Sequence, residues 1–120
     1  MSKPVVLIIE DEPDVLKMLS CVLRHQNVEI TEALGGTQAL VILENTTPDI
    51  ILLDLAMPGI NGLDILENIQ QQPRLHNASI FVLTARPQMA QQVCQNYSVE
   101  KIFLKPIQPV ALLQAIKPYL

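Results

Sequence analysis

The chain has 120 residues, of which 49% are hydrophobic and 17% charged, and carries a formal net charge of −4. That length accommodates one ordinary domain, residues 1–120, and with two Phe, two Tyr and no Trp its core has to be built from Ile, Leu, Val and Met. The 8 basic residues are scattered from Lys3 to Lys117, which argues against a basic patch for direct nucleic-acid binding.

The opening MSKPVVLIIEDEP holds only a short apolar run that ends in acids. It fits neither a secretory leader nor a membrane span, so a cytoplasmic, membrane-free protein is expected. Val5 to Ile9 reads instead as a first strand. Pro13 then starts a helix whose Val15, Met18, Leu19, Val22 and Leu23 form an apolar stripe. The alternating Val28 to Glu32 is a second strand, followed by a helix from Gly35-Gly36 to about Glu44 with Ala39, Leu40 and Leu43 inward. Ile50 to Leu53 is a third strand, and the helix after Gly62 uses Leu63, Leu66 and Ile69. Ile80 to Leu83 is a fourth strand, succeeded after Pro87 by a polar helix with Met89, Val93 and Tyr97 spaced by four. Lys101 to Leu104 is a fifth strand. The last helix begins near Pro109, turns Val110, Leu113 and Ile116 inward, and is ended or kinked by Pro118. Cys21 and Cys94 fall in helical stretches without CxxC spacing and read as free thiols of a reducing compartment.

Five βα units in succession predict an α/β fold: a doubly wound (βα)5 three-layer sandwich with right-handed crossovers. VVLII, IILL and IFVL are apolar throughout and belong in the sheet centre, whereas VEITE alternates and KIFL is short and begins charged, so both suit edges. The order 2-1-3-4-5 satisfies these demands and puts the switch point between the first and third strands. Ligands of such sheets bind there, at the carboxyl ends.

The residues just past the strands are Glu10 and Asp11, Asp54, Thr84 and Lys105. Three of them have a plain structural reading: Asp11 or Thr84 as a helix cap, Lys105 as a solvated loop residue, whereas Asp54 is harder to dismiss because no helix pattern starts right after it. Together they form a set. Carboxylates about 4 Å apart repel by roughly 4 kcal/mol per pair at an effective dielectric of 20. Either a proton or a divalent cation has to relieve that repulsion, and a purely oxygen donor set favours Mg2+ or Mn2+. His25 and His76 lie away from this rim. A lysine and a hydroxyl beside a metal suit phosphoryl oxygens, and Asp54 is then well placed as a nucleophile, with an aspartyl phosphate as the expected product.

These residues identify a resemblance. Glu10-Asp11, LLDLAMPGINGLDIL around Asp54, GGTQAL, Thr84-Ala85 and Lys105-Pro106 resemble, in order and spacing, the response regulator receiver domain, the CheY-like family with a flavodoxin-like fold. The resemblance covers essentially the whole chain. It implies that Asp54 accepts a phosphoryl group from a sensor histidine kinase or a histidine phosphotransfer protein. Asp11, Asp54 and the backbone carbonyl of Ala56 would bind Mg2+, with Glu10 acting mostly through water. Thr84 and Lys105 would contact the phosphoryl group, and the Lys105-Pro106 bond would be cis. A downstream effector protein would read the face of the fourth helix, fifth strand and fifth helix, including Ile102, Phe103 and Pro106. The protein would then be no enzyme beyond its own phosphotransfer and autodephosphorylation.

Several positions depart from the family pattern. Ile102 stands where an aromatic switch residue is usual, and by alternation Phe103 points to the opposite side. Ser98 replaces a frequent Gly and Asn61 a frequent Asp, while Ala56 and Arg86 occupy places that tune phosphoryl lifetime in the family. A haloacid-dehalogenase type of enzyme requires a second aspartate where Ala56 stands. A receiver-like interaction module that works independently of phosphorylation is the remaining alternative, and Ile102 is the feature that supports it.

Overall fold

A computed structural model describes residues 3–120; Met1 and Ser2, the start of the leader reading, lie outside the described residues. The strands are β1 (Val5–Glu10), β2 (Glu29–Leu34), β3 (Ile50–Asp54), β4 (Ser79–Thr84) and β5 (Lys101–Leu104). They alternate with helices α1 (Pro13–Arg24), α2 (Gly36–Asn45), α3 (Gly62–Gln70), α4 (Pro87–Asn96) and α5 (Pro109–Ile116), plus single 3-10 turns at Pro73–Leu75 and Lys117–Tyr119. All pairings are parallel and the sheet order is β2-β1-β3-β4-β5, as the apolar and alternating runs predicted.

Strand alternation divides the core in two. Leu7, Ile9, Ile51, Leu53, Ile80 and Val82 face one way and pack with Ala39 and Leu43 of α2, Ile65, Leu66 and Ile69 of α3, and Val93 of α4. Val6, Ile8, Ile50, Leu52, Phe81 and Leu83 face the other way, against Leu16, Leu19 and Leu23 of α1 and Leu112 and Ile116 of α5. Every residue of β3 is buried, as expected of a central parallel strand covered on both faces. The edge strand β2 buries only Ala33 and exposes Glu29, Glu32 and Leu34.

Differences from the sequence expectations are local. β2 starts at Glu29, not Val28, because the Val28 amide is held in the preceding turn by the Gln26 carbonyl at 2.9 Å. β1, β3 and β4 each end one residue later than predicted, so Glu10, Asp54 and Thr84 are terminal strand residues; β4 also starts one residue earlier, at Ser79, and β2 ends two later, at Leu34. Val110 is 68% exposed, not inward. As the second residue of α5 it lies outside the stripe set by Leu112 and Ile116, one turn apart. On α3, Asn61 caps the helix: its side chain accepts from the Asp64 amide at 3.1 Å and the Asp64 carboxylate accepts from the Asn61 amide at 3.1 Å. Pro118 does end α5, and a 3-10 turn follows. Cys21 and Cys94 are exposed free thiols.

Gly62 fixes the seat of α3 beneath the β3 terminus. A Cβ there would lie 2.5 Å from Leu55 Cα and 2.6 Å from the Asp54 carbonyl oxygen, both backbone atoms that cannot swing away. Gly62→Ala is therefore expected to lower stability by about 1–3 kcal/mol, the usual cost of overpacking a close-packed site. A urea unfolding midpoint unchanged from the wild type would contradict this close approach.

Candidate functional site

Pairing between β1 and β3 stops at Ile9 and Leu53, so Glu10 and Asp54 are the next residues on adjacent strands. Both are buried, at 0% and 1% exposure, and Asp11 beside them is half-buried. One carboxylate oxygen from each of Glu10, Asp11 and Asp54 falls within a single 4.8 Å group. This is the acidic notch expected at the switch point.

Lys105 closes the notch from the opposite side. Its Nζ lies 3.2 Å from Glu10 Oε2 and 3.4 Å from Asp54 Oδ2. Its backbone amide donates to the Thr84 carbonyl at 2.8 Å, and the Lys105-Pro106 bond is cis, as the resemblance implied. Burial disfavours the ammonium, but Asp54 and Glu10 outweigh it and push its pKa above the ordinary lysine value. The Ala56 amide donates to Asp54 Oδ1 at 3.3 Å and the Glu12 amide to Glu10 Oε1 at 3.4 Å, so backbone donors help fix both buried carboxylates.

Thr84 reaches the same rim but is engaged differently. It is fully buried, and its hydroxyl oxygen accepts the Arg86 amide at 3.0 Å at the entrance to α4. Among the described residues its hydroxyl makes no hydrogen bond to Asp54 or Lys105. The helix-cap readings fail for both candidates: Glu12 and Arg86 occupy the cap positions of α1 and α4, and neither helix has a side-chain cap. The tie from Thr84 to Arg86 was not legible in the sequence, since a backbone amide carries no residue-specific signal.

Ile102 is half-buried on the side of α4, packed with the core that contains Val82 and Val93. Phe103 is buried in the other core, against the group that holds Phe81, Leu112 and Ile116. Alternation along β5 thus separates the two residues, and no aromatic of this strand faces α4. Pro106 is exposed, and His25 and His76 are exposed and take no part in the notch.

The donor set is three carboxylates with no imidazole or thiol in the group, and a hard divalent cation suits it. Without one, the charge is relieved by Lys105 and by a proton. Burial, then the hydrogen bond and charge of Asp54, raise the Glu10 pKa from 4.5 to about 8, against the opposing pull of Lys105.

The sequence and the 2-1-3-4-5 fold both have counterparts among known proteins. The sequence model of the response regulator receiver domain family matches residues 6–117. The chain belongs to that family. It is 29% identical over 93% of its length to the DNA-binding response regulator MtrA of Mycolicibacterium smegmatis, covering 48% of that protein. It is 31% identical over 96% of its length to the response regulator ArlR of Staphylococcus saprophyticus, covering 51% of it. The receiver domain thus spans about half the length of the curated relatives it matches. Among solved structures, the response regulator TrrA of Thermotoga maritima, in complex with Mg2+-BeF, superposes with a TM-score of 0.84 at 26% identity, over 98% of this chain and 99% of that one. The chemotaxis protein CheY4 of Vibrio cholerae shares the fold with a TM-score of 0.87 at 24% identity, over 99% of this chain and 100% of that one. The receiver domain is thus a two-component response regulator module and not a conventional enzyme. Among the described residues no helix is long and apolar enough to cross a membrane.

A raised carboxyl pKa makes the folded state hold a proton that the unfolded chain releases near pH 4.5. The corresponding stability is present in full below pH 4.5 and is lost as the pH climbs through about 8. In a chelator, the melting temperature is therefore expected to fall between these limits, and Glu10→Gln should flatten the slope. Parallel profiles for the two proteins would contradict the assignment to Glu10.

Proposed function

We propose that residues 1–120 act as one phosphoacceptor domain in which Asp54 receives a phosphoryl group from the phosphohistidine of a sensor histidine kinase or phosphotransfer protein. The observation that carries this reading is the buried pair Glu10–Asp54 facing Lys105 Nζ, with Asp11 completing the acidic group. A carboxylate oxygen of Asp54 attacks phosphorus as the phosphorus–nitrogen bond of the donor breaks, and the imidazole keeps the electron pair. Lys105 neutralises charge on the phosphoryl oxygens, and the Thr84 hydroxyl donates to one of them. Asp11, Asp54 and the Ala56 backbone carbonyl would hold Mg2+ or Mn2+, with Glu10 acting through water. The bound cation supplies positive charge that offsets the approach of an anionic donor to an acidic notch. Attack by water on phosphorus then releases phosphate and resets Asp54.

Output follows from the tie between Thr84 and Arg86. A hydroxyl drawn to the phosphoryl group gives up the Arg86 amide at the entrance to α4, which moves the face formed by α4, β5 and α5. A downstream effector protein reads that face. A cytoplasmic setting, with no membrane and no direct nucleic-acid contact by this domain, fits its acidic charge and scattered basic residues.

Incubation with acetyl phosphate and Mg2+ is expected to add one phosphoryl group, detected by intact-protein mass spectrometry, and chelation should prevent it. Asp54→Asn should abolish the addition. Lys105→Ala should slow it by on the order of 10²–10³, the cost of removing one preorganised electrostatic partner. Undiminished incorporation in Asp54→Asn would overturn the assignment.

A further inference from the structure

α4 is the least anchored helix of the domain. It buries one side chain, Val93, and has neither a side-chain cap nor a charged residue along its length. Open space undercuts both of its ends. A cavity of about 300 Å³ lies beside Arg86 and Met89, and another of about 350 Å³ lies between Tyr97, Leu66, Ile69 and Ile80. Two polar ties hold the helix where it is. At its start, the Arg86 amide donates to the Thr84 hydroxyl at 3.0 Å. At its end, the Tyr97 hydroxyl donates to Glu67 Oε2 on α3 at 2.9 Å. Glu67 is itself positioned by Gln71, whose Nε2 reaches Oε1 at 3.4 Å.

We propose that the Tyr97–Glu67 hydrogen bond is the latch that keeps α4 in its resting position, so that the energy needed to move the helix is set at Tyr97 and not at residue 102. The inference rests on the phosphoacceptor reading above. Of the two ties, the first is given up when Thr84 turns to the phosphoryl group; the second is the polar tie that then remains. Ile102 packs on the same side as Val93 through apolar contact, which has no second, discrete hydrogen-bonded arrangement to select. A hydroxyl–carboxylate bond over a cavity has two states, closed or open, and so can bias a helix between two positions.

Hydrogen exchange of the full chain tests this, with beryllofluoride and Mg2+ as the phosphoryl mimic. Tyr97→Phe is expected to speed resting exchange across residues 87–97 by about fivefold, the scale of one net hydrogen bond. An interaction present only at rest also opposes activation, so the half-saturating beryllofluoride concentration should fall by a similar factor. Glu67→Ala should reproduce both effects, whereas Ile102→Ala, which removes apolar packing only, should leave the beryllofluoride titration unmoved whatever it does to resting exchange. Unchanged half-saturation in Tyr97→Phe and Glu67→Ala overturns the latch while the peptide containing Asp54 still responds. A wild-type chain whose Asp54 peptide ignores the mimic overturns the phosphoacceptor reading, and the latch with it.

Discussion

Two carboxylates at the ends of neighbouring central strands, Glu10 and Asp54, are almost wholly removed from water, and the rest of the domain is arranged around that cost. An ionised carboxylate is buried only where something compensates it, and here Lys105 Nζ stands within 3.4 Å of both groups. The lysine is delivered from β5, across β4, and its amide is pinned to the Thr84 carbonyl. Strand order is therefore a requirement of the site as well as of the core. With β1 and β3 adjacent the acids converge, and with β4 and β5 beyond them the hydroxyl and the cation arrive from one side.

This dependence explains why so much of the fold and of the notch is legible in the sequence. A buried parallel sheet demands continuous apolar strands, and VVLII, IILL and IFVL declare themselves central by having no polar face. Once β1 and β3 are neighbours, the acids that end them must meet. The same logic placed Ile102 and Phe103 on opposite faces from alternation alone. What stayed hidden depended on details of less than one turn or one residue. The inward stripe of α5 is Leu112 and Ile116, and a run as uniformly apolar as VALLQAI does not reveal which face is buried. The partner of the Thr84 hydroxyl is a backbone amide, and no side-chain pattern announces it. Tyr97 and Glu67 are 30 residues apart, one half-buried just past α4 and the other exposed on α3, and no sequence pattern links them.

The two cores also differ in kind. The one beneath α1 and α5 is filled by Phe81 and Phe103, and Phe81 further meets the ring of Tyr119 edge-on at 5.3 Å between centroids. Aromatic packing of this sort resists rearrangement, because moving one large ring leaves a void its neighbours cannot fill. The other core, beneath α2, α3 and α4, contains only aliphatic side chains among its buried members. Aliphatic contacts are less directional, and the cavities at both ends of α4 mean that the helix can shift without expelling close-packed atoms.

Rigidity and freedom are thus assigned to different halves of one small domain, and the chemistry requires both. Phosphoryl transfer depends on positioning, so Asp54 and Glu10 end strands locked by parallel pairing, Lys105 follows a strand with its amide tied to Thr84, and α3 is seated through Gly62 against Asp54 and Leu55. Signalling depends on a second arrangement only slightly less stable than the first, which a tightly packed element cannot supply. Thr84 belongs to both halves: its backbone is the last residue of β4 and carries Lys105, while its hydroxyl holds the first turn of the loosely packed helix. A change at the notch can reach the surface through that one residue, provided the far end of α4 is held weakly enough to answer.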